Sequence, residues 1–409
     1  MSRSQPITQA VILAGGKGTR LRPLTATTPK PMITIYGKPF LAYIIELLKA
    51  NGITEVVLLV GYLHEQIEDY FGDGKKFGIK IMYSQSPVEA DTGTRLRAAR
   101  PLLKQTLLLL YGDNYWPLQL GVLAQFYKNM NTKAVVTVCH NADHATRNNM
   151  LVEDGLVTIY DRSRKHQNLN GVDIGFFILD RSILKNFPKR NFSFEEVVLP
   201  KLIAKKQLAG FLTDQKYYGL STVERIPAIQ EYFRLKKTIF LDRDGVINIR
   251  PPKAKYIISW RQFVFLPKSK EALILLQKKG YEMYIISNQA GIARGDVTRK
   301  QVNSINRHLL KELEDIGVRI LGMYICPHGW DEKCFCRKPN PGLFFHAASN
   351  HHINLYQSYC IGDDKRDILA GKRAGCKTIF IGRKRKSEFE SDGKPDFIAS
   401  NLFNAVKYL

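Results

Sequence analysis

The sequence has little that would take it out of the ordinary globular class. No apolar run approaches the roughly 18–20 residues that a membrane helix needs; Leu107 to Leu110 is typical of its short hydrophobic stretches. Nothing near the first residues suits a secretory signal, so a cytoplasmic chain with no membrane partner is expected. Internal repeats and low-complexity segments are lacking, and a hydrophobic content of 44% excludes a disordered chain. Cysteines number six in 409 residues, too few for a disulfide scaffold. Acidic residues are scarce: 37 Asp and Glu face 61 Lys and Arg, a formal charge of +24.

That surplus favours anionic partners such as nucleic acid, anionic lipid or phosphorylated small molecules. The other reading is a basic drift over solvated faces. The cations are scattered, and their tightest run, Arg383-Lys384-Arg385-Lys386, reads as a solvated loop. No aromatic–basic interleaving is present, so nucleic acid is not an expected partner.

What is present is an alternation of short apolar runs with amphipathic segments. Val11 to Ala14, Val56 to Val60, Leu107 to Tyr111 and Val135 to Val138 read as buried strands. Leu41, Ile44, Ile45 and Leu48 fall on one helical face, and Asn51-Gly52 supplies a stop. The alternation restarts near residue 238. One amphipathic helix, carrying Ile226, Ile229 and Phe233, separates the halves with no Gly/Ser/Pro linker after it. The expected architecture is therefore α/β, with domains at 1–235 and 236–409, closely abutted, each a mostly parallel sheet flanked by helices.

Glycines 15, 16 and 18 follow the first strand in LAGGKGTRLRPLT, and PKPM follows at 29–32. Gly15, Gly16 and Gly18 let the backbone curl around a phosphate, and Arg20 and Lys30 would neutralise a triphosphate during transfer. This stretch resembles the sugar-1-phosphate nucleotidyltransferases over roughly residues 8–235. The resemblance implies attack by a sugar 1-phosphate on a nucleoside triphosphate, release of pyrophosphate, and Mg2+. It also implies that Gln85 contacts the base and that Asp113, in Tyr111-Gly112-Asp113, holds the metal. Two stretches depart from the family. Its leucine-glycine-threonine-alanine-glycine run reads Asp91-Thr92-Gly93-Thr94-Arg95-Leu96, with Gly93 as the substrate-side glycine. Its second metal-binding aspartate falls on Gly219, where Asp173 or Asp214 could substitute.

In the second half a strand leads into Asp242-Arg243-Asp244-Gly245. Two carboxylates two residues apart in extended chain point the same way: one can attack phosphorus, the other can protonate a leaving oxygen. Ser287-Asn288-Gln289, Arg337-Lys338-Pro339 and Gly362-Asp363 follow in order. This order resembles the haloacid dehalogenase phosphatase superfamily over residues 236–409. The resemblance implies Asp242 as nucleophile, Asp244 as acid/base, Ser287 and Lys338 on the phosphoryl group, and Asp242, the Asp244 carbonyl and Asp363 on Mg2+. Asn288 and Arg337 are expected at the substrate.

Cys326, His328, Cys334 and Cys336 form a closed tetrahedral Zn2+ set, expected to be structural because it leaves no open position. With this loop, the motifs resemble both the heptose-bisphosphate and the histidinol-phosphate phosphatases. A nucleotidyltransferase neighbour favours the heptose branch, since dephosphorylating a heptose bisphosphate makes a sugar 1-phosphate. By family resemblance the expected whole is bifunctional: phosphatase, then guanylyltransferase, with sugar phosphates and GTP as partners. The alternative is an active phosphatase beside a domain that only binds nucleotide or sugar. A homo-oligomer stays open.

Overall fold

The computed structural model describes residues 6–141, 146–252, 255–383 and 386–409. Lys384 and Arg385 of the basic run lie outside the described residues. The chain divides into two compact units, Met1–Phe233 and Arg234–Leu409.

In the first unit nine strands form one sheet. In chain order they are β1 (Gln9–Leu13), β2 (Glu55–Val60), β3 (Lys80–Gln85), β4 (Thr106–Tyr111), β5 (Ala134–Cys139), β6 (Met150–Glu153), β7 (Leu156–Tyr160), β8 (Val172–Asp180) and β9 (Leu208–Thr213). Their spatial order is β3-β2-β1-β4-β8-β5-β9-β7-β6. The run from β3 to β4 is parallel; β1, β2 and β4 are Val/Ile/Leu-rich and buried on both faces, while β3 is the half-exposed edge. The helix Phe40–Ala50 makes the crossover from β1 to β2 and buries Leu41, Ile44, Ile45 and Leu48, as their spacing required.

The sheet as a whole is mixed, because β8 runs antiparallel to both β4 and β5. Four of the eight pairings are antiparallel. Strand order and direction are long-range properties, which local hydrophobic pattern does not encode. The β8 ladder is interrupted between Asp173 and Phe177. Gly175 there has φ +76, and a Cβ on it would meet the Tyr111 ring at 2.1 Å. This bulge lies between Asp173, which still pairs with Val138, and the regular ladder that resumes at Phe177.

The second unit holds β10 (Lys237–Leu241), β11 (Tyr281–Asn288), β12 (Ile320–Cys326), β13 (Ser358–Gly362), β14 (Lys377–Ile381) and β15 (Phe397–Ala399). Their order is β12-β11-β10-β13-β14-β15, and every pairing is parallel. One face is covered by the helices Ser269–Lys278 and Arg299–Glu314, which bury Leu273, Leu276, Ile305 and Leu309. On the other, Leu343 and Phe344 of the helix Gly342–His351 pack with Phe240 and Tyr284. Asp242, Asn288, Cys326 and Asp363 all lie at or just beyond the carboxyl ends of their strands, where an open parallel sheet collects ligands. No helix among the described residues is long and apolar enough to cross a membrane.

Candidate active sites

The second unit brings its motifs to one cleft of about 220 Å³, lined among others by Asp242, Asp244, Ser287, Asn288, Arg337 and Lys338. Lys338 is 3% exposed. Its Nζ donates to Asp242 Oδ1 (2.9 Å) and the Ile286 carbonyl (2.9 Å), and pairs with Asp367 Oδ1 at 2.6 Å. Burial works against the ammonium, but Asp242 and Asp367 outweigh it and hold its pKa well above the usual lysine value. Burial and the neighbouring carboxylates Asp367, Asp363 and Asp244 push the Asp242 carboxyl up, against the pull of Lys338.

Asp363 stands beside this pair. Burial first, then Asp367, pushes it up to about 6. Its Oδ1 is buried without a hydrogen-bond partner among the described residues. Asp242, Asp363 and Asp367 can bring one oxygen each within 4.8 Å of one another. Gly245, at φ +100, is the only residue type that fits between: a Cβ there would sit 2.0 Å from Asp363 Oδ2. An orphaned carboxylate oxygen beside a second carboxylate is the donor set that a hard divalent cation takes. Asp367 is committed to Lys338, and Asp364 caps the helix Lys365–Ala374 and pairs with Arg250 and Arg366.

Asp244 is held differently. Its carboxylate accepts from Arg243 (2.9 Å), Gln289 (2.8 Å) and Asn248 (2.9 Å). Burial would raise its pKa, but Arg243, Asn248 and Gln289 overcome it and keep the group ionised. Ser287 is buried and accepts from the Gln289 amide at 2.9 Å. Asn288 clamps the Lys338 backbone from both sides, donating to its carbonyl (3.0 Å) and accepting from its N–H (3.1 Å).

Cys326, His328, Cys334 and Cys336 converge in the same unit. Cys326 and Cys334 lie 3.7 Å apart, as do Cys334 and Cys336, while His328 Nδ1 is 3.5 Å from Cys326 and 3.1 Å from Cys336. A tetrahedral ion with bonds of about 2.3 Å to sulfur and 2.05 Å to nitrogen requires edges of about 3.8 and 3.6 Å. The four side chains thus fit one ion. Arg337 donates to the His328 carbonyl at 3.2 Å, so the knot and the lysine loop are one folded piece.

In the first unit an open cleft of about 770 Å³ lies over the carboxyl ends of β1 and β4, large enough for a nucleotide with a sugar phosphate. Gly15, Gly16, Gly18, Arg20, Lys30 and Asp113 all line it. Lys30 and Asp113 form an ion pair. Gln85 and Gly93 are not drawn to this wall. The Gln85 amide donates to Glu68 at 2.9 Å, and Gly93 packs under Phe192, whose ring a Cβ would meet at 2.2 Å. Asp214 is paired with His140 at 2.7 Å and does not line the cleft, whereas Asp173 does. Gly219 pairs with Asn114 across a short antiparallel ladder, and a Cβ on it would lie 2.8 Å from Asn114 Oδ1 and 3.6 Å from an Arg225 nitrogen.

Sequence reasoning missed several residues here. Arg162, Arg164 and Arg225 add three cations to the cleft, and Glu195 accepts from Tyr111, Thr92 and Ser193. The signal for the first two was the dense Arg162-Ser163-Arg164-Lys165 run; nothing local marks the others.

A nucleotidyl transferase family model matches residues 9–219, and a HAD-hydrolase-like model matches residues 335–405. A D-glycero-beta-D-manno-heptose-1,7-bisphosphate 7-phosphatase of Haemophilus ducreyi is 37% identical over 182 residues, 42% of this chain and 98% of that protein. A D-glycero-alpha-D-manno-heptose 1-phosphate guanylyltransferase of Aneurinibacillus thermoaerophilus is 32% identical over 218 residues, 52% of this chain and 92% of that protein. The crystal structure of HddC from Yersinia pseudotuberculosis matches at 25% identity and TM-score 0.50, covering 56% of this chain and all of that one. The chain belongs to the nucleotidyl transferase family and, in addition, to the family of these bisphosphate 7-phosphatases.

Two outcomes follow from the geometry. Cys334→Ser should lose bound metal and at least tenfold of phosphatase turnover, because the Cys336–Lys338 loop is untied; metal analysis with an activity assay on the same sample checks this. Asp173 provides a pH test. Burial pushes its carboxyl up to about 7, against the Gly175 N–H that it accepts and with Glu195 adding to the rise. The folded state therefore holds this proton more tightly than the unfolded chain, where the pKa is about 3.9. Its contribution is full below about pH 4, is lost as pH rises to about 7, and is flat above. Melting temperatures taken from pH 4.5 to 7.5 should fall more in the wild type than in Asp173→Asn; parallel curves would refute the assignment.

Proposed function

We propose that the chain is a bifunctional enzyme that removes the 7-phosphate of a heptose 1,7-bisphosphate in its second unit and transfers a nucleotidyl group to the resulting heptose 1-phosphate in its first. Relatives covering nearly the whole of each half support the pairing. The Haemophilus ducreyi phosphatase takes the β anomer and the guanylyltransferase the α. The pairing therefore requires that the second unit here accept the α-bisphosphate, as another phosphatase relative does; the product of one reaction is then the acceptor of the other. GTP is the favoured donor and the cytoplasm the favoured setting, where three reduced thiols are available to a metal.

In the phosphatase half, Asp242 attacks phosphorus and the sugar oxygen leaves; water then releases phosphate from the aspartyl ester. Lys338, held by Asp242 and Asp367, neutralises the phosphoryl oxygens, with Ser287 beside it. A magnesium ion held by Asp242, the Asp244 carbonyl and Asp363 would supply the charge that ionises the raised carboxyls and accepts a phosphate oxygen. Asp244, ionised in its bracket of Arg243, Asn248 and Gln289, is ready as the base for water. As the acid for the leaving oxygen it must carry a proton, which costs the Arg243 pair, so the carboxyl has to turn from Arg243 between the two steps. The zinc knot is structural and fixes Arg337 and Lys338. The carrying observation is the contact of the Lys338 ammonium with Asp242 beside the unpartnered Asp363 oxygen.

In the transferase half, Gly15, Gly16 and Gly18 with Arg20 and Lys30 would bind the triphosphate, and Asp113 would hold the metal once Lys30 turns to the phosphates. With Gly219 where the family has its second carboxylate, the positive charge of Arg225 stands at that corner instead.

Asp242→Asn should abolish phosphate release from a heptose 1,7-bisphosphate, by at least a thousandfold, while pyrophosphate release from GTP and heptose 1-phosphate persists. Turnover near wild type would remove Asp242 as the nucleophile. Gly219→Asp tests the other half. The new carboxylate would meet Arg225, so we expect the Mg2+ requirement for pyrophosphate release to change less than threefold. A large fall in that requirement would show that the missing aspartate, and not Arg225, governs the site.

A further inference from the structure

Arg95 lies in the segment that departs most from the family pattern, on the helix Thr92–Ala98. It is 4% exposed. Its guanidinium donates to five main-chain carbonyls: Nε to Ala90 (2.9 Å), one terminal nitrogen to Val60 (2.8 Å), the other to Gly15 (3.1 Å), Pro87 (3.0 Å) and Val88 (3.1 Å). No carboxylate among the described residues shares these contacts. Two glycines make room for it. A Cβ on Gly15 would stand 2.3 Å from its terminal nitrogen, and one on Gly61 2.5 Å. One side chain thus joins the glycine loop after β1, the end of β2 and the loop 87–90 that leads into its own helix.

The Gly15 contact has a consequence at the cleft. In a trans peptide the carbonyl of one residue and the N–H of the next point in opposite directions. Arg95 and the Tyr62 N–H (3.1 Å) draw the Gly15 carbonyl inward, which turns the Gly16 N–H away from Arg95. That N–H makes no main-chain hydrogen bond among the described residues, and the space a Gly16 Cβ would enter is empty to 4 Å. Gly16 lines the cleft.

We infer that Arg95 is a positioning residue of the nucleotide cleft: by holding the Gly15 carbonyl it fixes the Gly15–Gly16 peptide so that the Gly16 N–H faces a phosphate of the bound triphosphate, and its unpaired charge lies behind that phosphate. The inference rests on the transferase reading above. A lysine at 95 offers three donors on a point charge and cannot span five carbonyls from one plane. Loss of a contact made equally to bound substrate and transition state raises KM and leaves kcat.

The test uses the full chain with GTP, Mg2+ and heptose 1-phosphate, reading pyrophosphate release and, by calorimetry, GTP binding. Arg95→Lys should raise the KM for GTP and its Kd at least tenfold, with kcat within about threefold and phosphatase turnover in the same chain unchanged. Gly61→Ala has no φ barrier and, from outside the cleft, crowds both the Arg95 terminal nitrogens (2.5 and 2.9 Å) and the Gly15 carbonyl they hold (3.0 Å), so it strains the same contact. It should raise the same KM, and the double variant should be no worse than Arg95→Lys alone. Should Arg95→Lys fail to fold in its first unit, Gly61→Ala decides alone. Unchanged KM in a folded variant, additive effects in the double, or a loss confined to kcat would overturn the positioning role while leaving the transferase reading in place. A wild-type chain that neither binds GTP nor releases pyrophosphate would sink both.

Discussion

The buried ammonium of Lys338 sets the terms for the second unit. A lysine enclosed to this degree survives only if its charge is met at short range, and breaking such a pair from one side costs about 3–5 kcal/mol. Asp242 and Asp367 meet it from the ends of two elements, and the Ile286 carbonyl completes its coordination. These contacts dictate where the 337–339 loop must run. That loop has no regular secondary structure to hold it, so its course is fixed from both flanks: by the Cys/His knot on one side and by the two Asn288 hydrogen bonds on the other. The knot is therefore explained by what it delivers. A surplus of carboxylate remains around the lysine: Asp363 pairs through Oδ2 with Arg250 at 3.1 Å and keeps its buried Oδ1 without a partner among the described residues.

The first unit solves a similar problem with dipoles in place of counter-charges. Arg95 is as enclosed as Lys338, yet carbonyl oxygens surround it. The difference suits the ligands. A site for one phosphoryl group can use an internal ion pair, because the cation that enters with the phosphate rebalances it. A cleft for a triphosphate gains from fixed positive charge, and Arg20, Arg162, Arg164 and Arg225 line its walls, although Arg162 pairs with Glu196 and Glu89, Asp91, Asp113, Asp173 and Glu195 line the same cleft.

Much of this was legible from sequence for a physical reason. Glycines at a strand end, aspartates two apart after a strand, and thiols at ligand spacing act through local geometry, so their order along the chain carries their arrangement. Asp242, Asp363 and Lys338 come together in the second unit, the four knot residues meet in the same unit, and Gly15 lines the cleft of the first. The mixed character of the first sheet was not legible, because β8 enters between β4 and β5 from far along the chain. The partners of Asp367 and Asp244 were not legible either: Lys338 and Arg243 could each have paired with several carboxylates, and only packing chooses. Gln85, at the end of β3, donates to Glu68 on the helix His64–Phe71, a partner that no local pattern marks.

Gly219 joins these threads. By the family resemblance a glycine stands at 219 in place of a carboxylate, and an Arg225 nitrogen lies 3.6 Å from where a Cβ there would be. Both features move the local field in the direction that a bound cation would. Asp113 then stands with Lys30 as its partner and without a second acidic ligand at position 219. The phosphatase cleft keeps its cluster of carboxylates and with it the demand for a divalent ion. The two halves of one chain thus meet phosphate oxygens with different balances: the second with one buried ammonium among several carboxylates, the first with Asp113 as its acidic group for a metal beside several guanidinium groups and main-chain N–H groups held in place by a buried arginine.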